Sequence, residues 1–234
     1  MREAGSWTDF FNGTHQLYVN ARHKGLHYQT LARDIVALIE APDAKILDFG
    51  CGEALTATEI ARHCETLYLH DAAPNVAQGL RANFGHVANI VVLSEADLAA
   101  LPPGSLDMII VNSVLQYVSP AVLESLLDVW RPLLRDDGRL ILADVIPTGL
   151  GIVPDVKALI ASAWKGGFLA AAVVGLARTY LSRYRALKKE LGLTTYRPEA
   201  IQATLAAHGF ACAKANRNLG HNQHRMTFVG TKVG

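Results

Sequence analysis

The sequence predicts a doubly wound α/β fold, and three observations carry that expectation. Short apolar runs that read as strands alternate with helical patterns between residues 45 and 145. The central runs, such as Met108-Ile109-Ile110, are continuously apolar, as strands covered on both faces are. The first of them runs straight into a glycine-rich turn, Gly50-Cys51-Gly52, at the strand end where such sheets bind ligands. Alternating strands and helices give parallel βαβ units with right-handed crossovers.

The elements follow in order. Residues about 14–40 read as helical, with Leu31, Ile35, Leu38 and Ile39 on one face and Ala41-Pro42-Asp43 as the stop. Lys45 to Phe49 is the first strand, and a helical pattern runs from Glu53 to His63. Thr66 to His70 is the second strand, residues 74–85 a helix, and Ile90 to Leu93 the third strand. Leu106 to Asn112 is the fourth. Pro120 to Leu134 is a helix that ends in the turn Asp136-Asp137-Gly138, and Arg139 to Val145 is the fifth strand. A helix over 199–208 precedes two last strands, about 210–217 and 224–232, read as an antiparallel hairpin at the sheet edge. The whole is one domain over 1–234: an N-terminal helical cap (1–43), a core (44–146), an insertion (147–197) and a terminal helix with hairpin (198–234). It makes a Rossmann-like sheet of about seven strands.

The insertion breaks the rhythm, because about 50 residues stand where a short connection is usual. It contains Gly166-Gly167-Phe168 and an apolar stripe through Val173, Ala177, Tyr180, Tyr184, Leu187 and Leu191. The opposite face carries Arg178, Arg183, Arg185, Lys188 and Lys189. The stretch reads as a helical lid over an acceptor. A helix packed on the sheet and a membrane-surface helix are the other readings.

Composition narrows the function classes. The chain has 234 residues, of which 50% are hydrophobic and 18% charged, which suits a buried core and argues against long disorder. The net charge is +1, so no global basic field calls for nucleic acid. Cys51, Cys64 and Cys212 form no CxxC pair and fit a reducing compartment. The N-terminus lacks a signal-peptide run and no stretch reaches the roughly 18 apolar residues of a membrane span, so the expected location is the cytoplasm.

The strongest local signal is ILDFGCGEA at 46–54. Glycines let the backbone turn sharply and let a ligand approach where a Cβ would stand. A dinucleotide fingerprint needs a further glycine at 55, and this chain has Leu55. Asp71 lies 19 residues after Gly52 at the end of the second strand, placed to accept from both hydroxyls of a ribose. Asp97 follows the third strand with Leu98 beside it, and Asn112 ends the fourth.

These motifs, in this order, resemble class I S-adenosylmethionine-dependent methyltransferases of the small-molecule type. ILDFGCGEA resembles their first motif, LYLHDAAP the second, EADLAALPPGSLDMIIVNSVLQYV the adenine loop with the fourth strand, and LRDDGRLILADV the fifth. The resemblance covers about residues 44–146, and Ala54 stands where many members have glycine. It implies S-adenosylmethionine as cofactor. Gly50, Cys51 and Gly52 would lie along the methionine part, with Asp48 organising the turn or the ammonium group. Asp71 would hold the ribose, and Ala72 would line the adenine. Asp97 and Leu98 would take the adenine edge and face, and Asn112 with Ser113 would sit near the sulfonium.

In such a transfer the cofactor carries the hard step, and a protein base assists a protic nucleophile. Histidine is the natural base, and there are nine. His23 and His27 lie four apart on the N-terminal helix beside Tyr18, Arg22 and Tyr28, where they would meet the methionine carboxylate or the substrate. Tyr28 is accordingly a cofactor candidate, and His23, His27 and His221 are catalytic candidates. His221 and His224 form an HxxH pair with no third ligand at a recognisable spacing, so no metal is expected. The expected partner is a small acceptor, aromatic or lipophilic, methylated at O, N or C. Peripheral membrane contact and the oligomeric state stay open. The competing readings are a non-catalytic S-adenosylmethionine-binding partner protein and a nicotinamide-dependent oxidoreductase.

Overall fold

A computed structural model of the protein describes residues 21–150 and 192–233. Helix α1 (Ala21–Val36) leads into β1 (Lys45–Phe49), α2 (Ala57–Ala61), β2 (Thr66–His70), α3 (Pro74–Phe84), β3 (Ile90–Leu93) and α4 (Glu95–Ala99). Then come β4 (Leu106–Asn112), a 3-10 turn (Leu115–Tyr117), α5 (Pro120–Leu133), β5 (Leu134–Val145), α6 (Pro198–Ala207), β6 (Phe210–Lys214) and β7 (Met226–Lys232).

The seven strands make one sheet in the order β3-β2-β1-β4-β5-β7-β6. β1 to β5 run parallel, and β7 pairs antiparallel with both β5 and β6. The last strand is therefore inserted between β5 and β6, and β6 takes the edge. β1 pairs with β2 on one side and β4 on the other. The chain reverses its direction of travel across the sheet there, so a crevice opens beyond the carboxyl ends of β1 and β4.

Strand alternation divides the core into two layers, because successive side chains point to opposite faces. Leu47, Ile109, Val111, Leu140 and Leu142 join Trp130, Leu127 and Phe228 on one face. Ile46, Met108, Ile110, Ile141 and Ala143 join Ile35, Leu67 and Leu80 on the other. Trp130 is wholly buried and meets the Phe49 ring edge-on at 5.0 Å, fixing the last residue of β1 just before the glycine turn.

Two expectations need adjusting. The buried stripe of α1 is Tyr28, Ala32 and Ile35, while Leu38 and Ile39 fall after the helix and are only partly buried. β5 begins at Leu134 rather than Arg139, because Leu134 pairs with Leu106 ahead of the Asp136-Asp137-Gly138 turn. The expected helical start at residue 14, Tyr18, and the stripe and lid over 151–191 with Phe168 lie outside the described residues. The stems of that long connection are described and adjacent. Pro147 bridges to Tyr196, Thr148 N–H donates to the Tyr196 carbonyl at 3.0 Å, and the Tyr196 hydroxyl donates to the Val118 carbonyl at 3.2 Å. The segment thus leaves and returns at the carboxyl ends of β4 and β5. No described helix is long and apolar enough to cross a membrane.

Candidate functional site

The glycine turn follows β1 directly. Gly50 and Gly52 have φ of 69° and 60°, and Ala54 keeps the left-handed form at 44°, which explains why a glycine is common there and why a small residue serves. The Gly50 and Cys51 N–H groups donate to the His70 carbonyl at 2.7 and 3.2 Å, which pins the turn to the end of β2. A Cβ on Gly50 would stand 2.5 Å from Val114 Cγ2, whereas one on Gly52 would meet only the Tyr28 hydroxyl, at 3.5 Å. The first glycine therefore answers to packing, and the second faces the space under α1.

Asp71 completes the turn. Its Oδ2 accepts the Gly52 N–H at 3.0 Å and its Oδ1 accepts the Ala73 N–H at 2.9 Å. Each oxygen keeps a further lone pair, so the carboxylate is oriented by the backbone and still able to accept from a diol. Ala72 beside it is exposed. Asp48 is 9% exposed at the floor of the turn. Burial first, and the neighbouring Asp71 second, raise its pKa to about 7. Two carboxyls this close call for a cation. Burial also pushes the Cys51 thiol well up, which disfavours the thiolate.

The adenine candidates are placed differently from each other. Asp97 is the third residue of α4 and forms its capping box: Oδ2 accepts from the Ser94 N–H at 2.9 Å and the Ser94 hydroxyl at 2.6 Å. Those bonds hold its pKa below the usual carboxylate value. Leu98 is 4% exposed and belongs to the same core cluster as Leu93 and Leu106. The helical phase of α4 turns the Leu98 side chain toward that cluster.

Asn112 and Ser113 end β4 at the crevice. Asn112 Nδ2 donates to Ser113 Oγ at 3.2 Å, and the buried Asn112 Oδ1 accepts no bond among the described residues. His27 on α1 and His221 in the loop before β7 are brought together, with ring centroids 5.7 Å apart, and His27 meets the Tyr28 ring edge-on at 5.5 Å. The side chain of His23 lies outside what is described. His224 is exposed, and no metal-binding group of three His, Cys, Asp or Glu occurs among the described residues.

Sequence reasoning missed a second group at this edge. Ser113 Oγ donates to Asp144 Oδ2 at 2.8 Å, Arg225 Nη1 donates to Gln116 Oε1 at 2.8 Å, and Asn218 bonds Asp144. One signal was available: Asp144 is a lone acid near the end of an apolar strand, as Asp71 is just past another. Its partners Asn218 and Arg225 come from the hairpin loop, which no local pattern ties to β5.

An adenosyl amino acid fits this arrangement. Gly52 leaves room that a larger side chain would fill, Asp71 has free acceptor capacity for a ribose diol, and buried Asp48 suits an ammonium or sulfonium charge.

Residues 47–140 match the methyltransferase domain family. Comparison of the sequence with curated proteins gives no match. Among solved structures, the chain is similar to magnesium protoporphyrin IX methyltransferase from Synechocystis PCC 6803 with bound S-adenosylmethionine. The two share 17% identity and a TM-score of 0.63, over 99% of this chain and 98% of that one. It is also similar to the N-methyltransferase NodS from Bradyrhizobium japonicum WM9 with S-adenosylhomocysteine, at 14% identity and TM-score 0.58, over 98% and 97% of the two chains. A third likeness is to 1,6-didemethyltoxoflavin-N1-methyltransferase from Burkholderia thailandensis, at 16% identity and TM-score 0.59, over 99% and 89%.

Proposed function

We propose that this chain is a class I S-adenosylmethionine-dependent methyltransferase that methylates a small, partly apolar molecule at oxygen, nitrogen or carbon, a reading supported by the methyltransferase-domain match over residues 47–140 and by the similar solved structures. The observation that carries the reading is the cradle at the β1–β4 crevice, where Gly52, Asp71 and buried Asp48 meet. In the proposed site Asp48 takes the charge of the amino acid part, Asp71 the ribose, Tyr28 the space over Gly52, and exposed Ala72 the adenine. Asp97 is proposed for the adenine edge through its remaining oxygen. Asn112 and Ser113 stand on the sulfonium side, and His27 with His221 on the acceptor side.

Bound S-adenosylmethionine supplies an activated methyl group on a good leaving group, so the protein's contribution is alignment, exclusion of water and proton acceptance. A small acceptor is supported by the balanced charge and by the small-molecule methyltransferases among the similar structures. That residues 151–191 select the acceptor is supported by their stems, which meet at Pro147 and Tyr196 beside the crevice.

The test is calorimetric titration with S-adenosylhomocysteine and, separately, NAD, followed by transfer of labelled methyl to a panel of aromatic and lipophilic acceptors. Binding of S-adenosylhomocysteine alone, with label moved to a protic small molecule, is the expected result. Binding of NAD instead would point to hydride chemistry. Cofactor binding with no transfer to a broad panel would favour the non-catalytic partner reading.

A further inference from the structure

The carboxyl ends of β4 and β5 hold a partly buried polar cluster that the cofactor cradle does not account for. Ser113 and Asp144 have φ of 60° and 58°, a backbone form that L residues adopt at a cost. Both are held there by contacts. Asp144 Oδ2 accepts from Ser113 Oγ at 2.8 Å and lies 3.5 Å from Arg225 Nη1. Asp144 and Asn218 bond reciprocally: the Asp144 N–H donates to Asn218 Oδ1 at 3.0 Å, and Asn218 Nδ2 donates to Asp144 Oδ1 at 3.4 Å.

Asn218 is 2% exposed and also donates to the carbonyls of Leu219 and Asn222, at 2.9 and 3.0 Å. It thereby ties the loop that carries His221 to the Asp144 carboxylate. From the other side, the Gly220 N–H donates to Asp34 Oδ2 of α1 at 2.7 Å. His221 follows these two anchors directly and stands against His27, with ring centroids 5.7 Å apart. A loop clamped at both flanks holds one imidazole against α1.

We propose that Asp144 is a positioning residue for methyl transfer, fixing and polarising His221 as the proton acceptor for a protic oxygen or nitrogen nucleophile. The inference rests on the methyltransferase reading and narrows its acceptor class. In the step, the acceptor's lone pair forms the bond to the methyl carbon as the carbon–sulfur bond breaks and its electron pair stays on sulfur. The acceptor's O–H or N–H proton passes to the imidazole of His221, leaving methylated acceptor, the thioether and an imidazolium. Asp144 does not receive that proton. Its negative charge stabilises the imidazolium and so makes His221 a better base.

The charges around the pair act in both directions. Burial raises the Asp144 pKa, and Arg225, the Ser113 and Asn218 hydrogen bonds and His221 oppose that rise. Among the described residues, Asp34 on α1, with Arg217 Nη2 at 3.5 Å, and His27 also stand near the loop.

The experiment is a pH titration of histidine ring resonances by NMR on the full chain, with His221 assigned through His221→Asn. Asp144→Asn keeps the side-chain shape and tolerates left-handed backbone. The His221 midpoint should move to lower pH in Asp144→Asn, while that of exposed His63 stays in place. An unmoved His221 midpoint overturns the inference. The unaltered protein gives a second readout: the Asp144 carboxyl carbon should show an inflection at the His221 midpoint, and its absence overturns the inference even if the variant fails to fold. Titration of the unaltered protein with S-adenosylhomocysteine separates the two levels. No binding sinks the methyltransferase reading beneath; binding with an uncoupled His221 sinks only the role of Asp144.

Discussion

The two glycines of the turn after β1 should respond differently to the same added methyl group. Both have left-handed backbone, with φ of 69° at Gly50 and 60° at Gly52, so an alanine at either costs about 1–2 kcal/mol. At Gly50 the new Cβ also arrives 2.5 Å from Val114 Cγ2, an overlap of the kind that costs a further ~1–3 kcal/mol. At Gly52 the nearest atom is the Tyr28 hydroxyl, 3.5 Å away, which is ordinary contact. Gly50→Ala should therefore lose about 2–5 kcal/mol of stability and Gly52→Ala only about 1–2 kcal/mol. Urea unfolding with unchanged m-values measures both. Adding Val114→Ala should recover much of the extra loss in Gly50→Ala and none in Gly52→Ala, a coupling that a double-mutant cycle reads directly. Ligand binding should show the reverse order. Gly52→Ala weakens S-adenosylhomocysteine despite its milder effect on stability, and Gly52→Val abolishes binding in a folded protein. Equal destabilisation by the two alanines, no coupling to Val114, or retained affinity in folded Gly52→Val would refute the reasoning.

Three further outcomes are expected. Asp71→Ala should weaken S-adenosylhomocysteine by roughly 1.5–3 kcal/mol, the scale of hydrogen bonds to a charged acceptor, and calorimetry finding unchanged affinity would remove it from the ribose role. The folded protein holds Asp48 protonated up to about pH 7, while the unfolded chain loses that proton near its ordinary 3.8. This group's contribution to stability therefore falls as pH rises through that window, and binding an ammonium near Asp48 should release a proton at about pH 6. Calorimetry in buffers of different ionisation heat checks the release, which Asp48→Asn should abolish. Excising residues 151–191 and joining the stems with a short glycine linker should leave S-adenosylhomocysteine affinity nearly intact and eliminate methyl transfer to the acceptor found in the panel. Retained transfer would show that the segment does not select the acceptor.

The parts legible in the sequence are those that neighbours along the chain determine. Continuous apolar runs marked Ile46-Leu47, Leu67 to Leu69 and Met108 to Val111 as strands, because a strand buried on both faces has no position for a polar side chain. The glycines at 50 and 52 marked the turn because left-handed backbone is cheap only for glycine. Asp71 was legible as an acid at a strand end. By contrast, the capping-box role of Asp97 depends on where α4 starts, and the burial of Leu98 on its helical phase. Only the tertiary structure decided that β7 lies antiparallel between β5 and β6. That pairing carries Asn218 and Arg225 to Asp144, and Gly220 and His221 to α1. These contacts join residues from 74 positions apart (Asp144 and Asn218) to 194 apart (His27 and His221). No periodicity spans such distances, since the contacts follow from strand order and buried surface rather than from any local preference of the residues that make them.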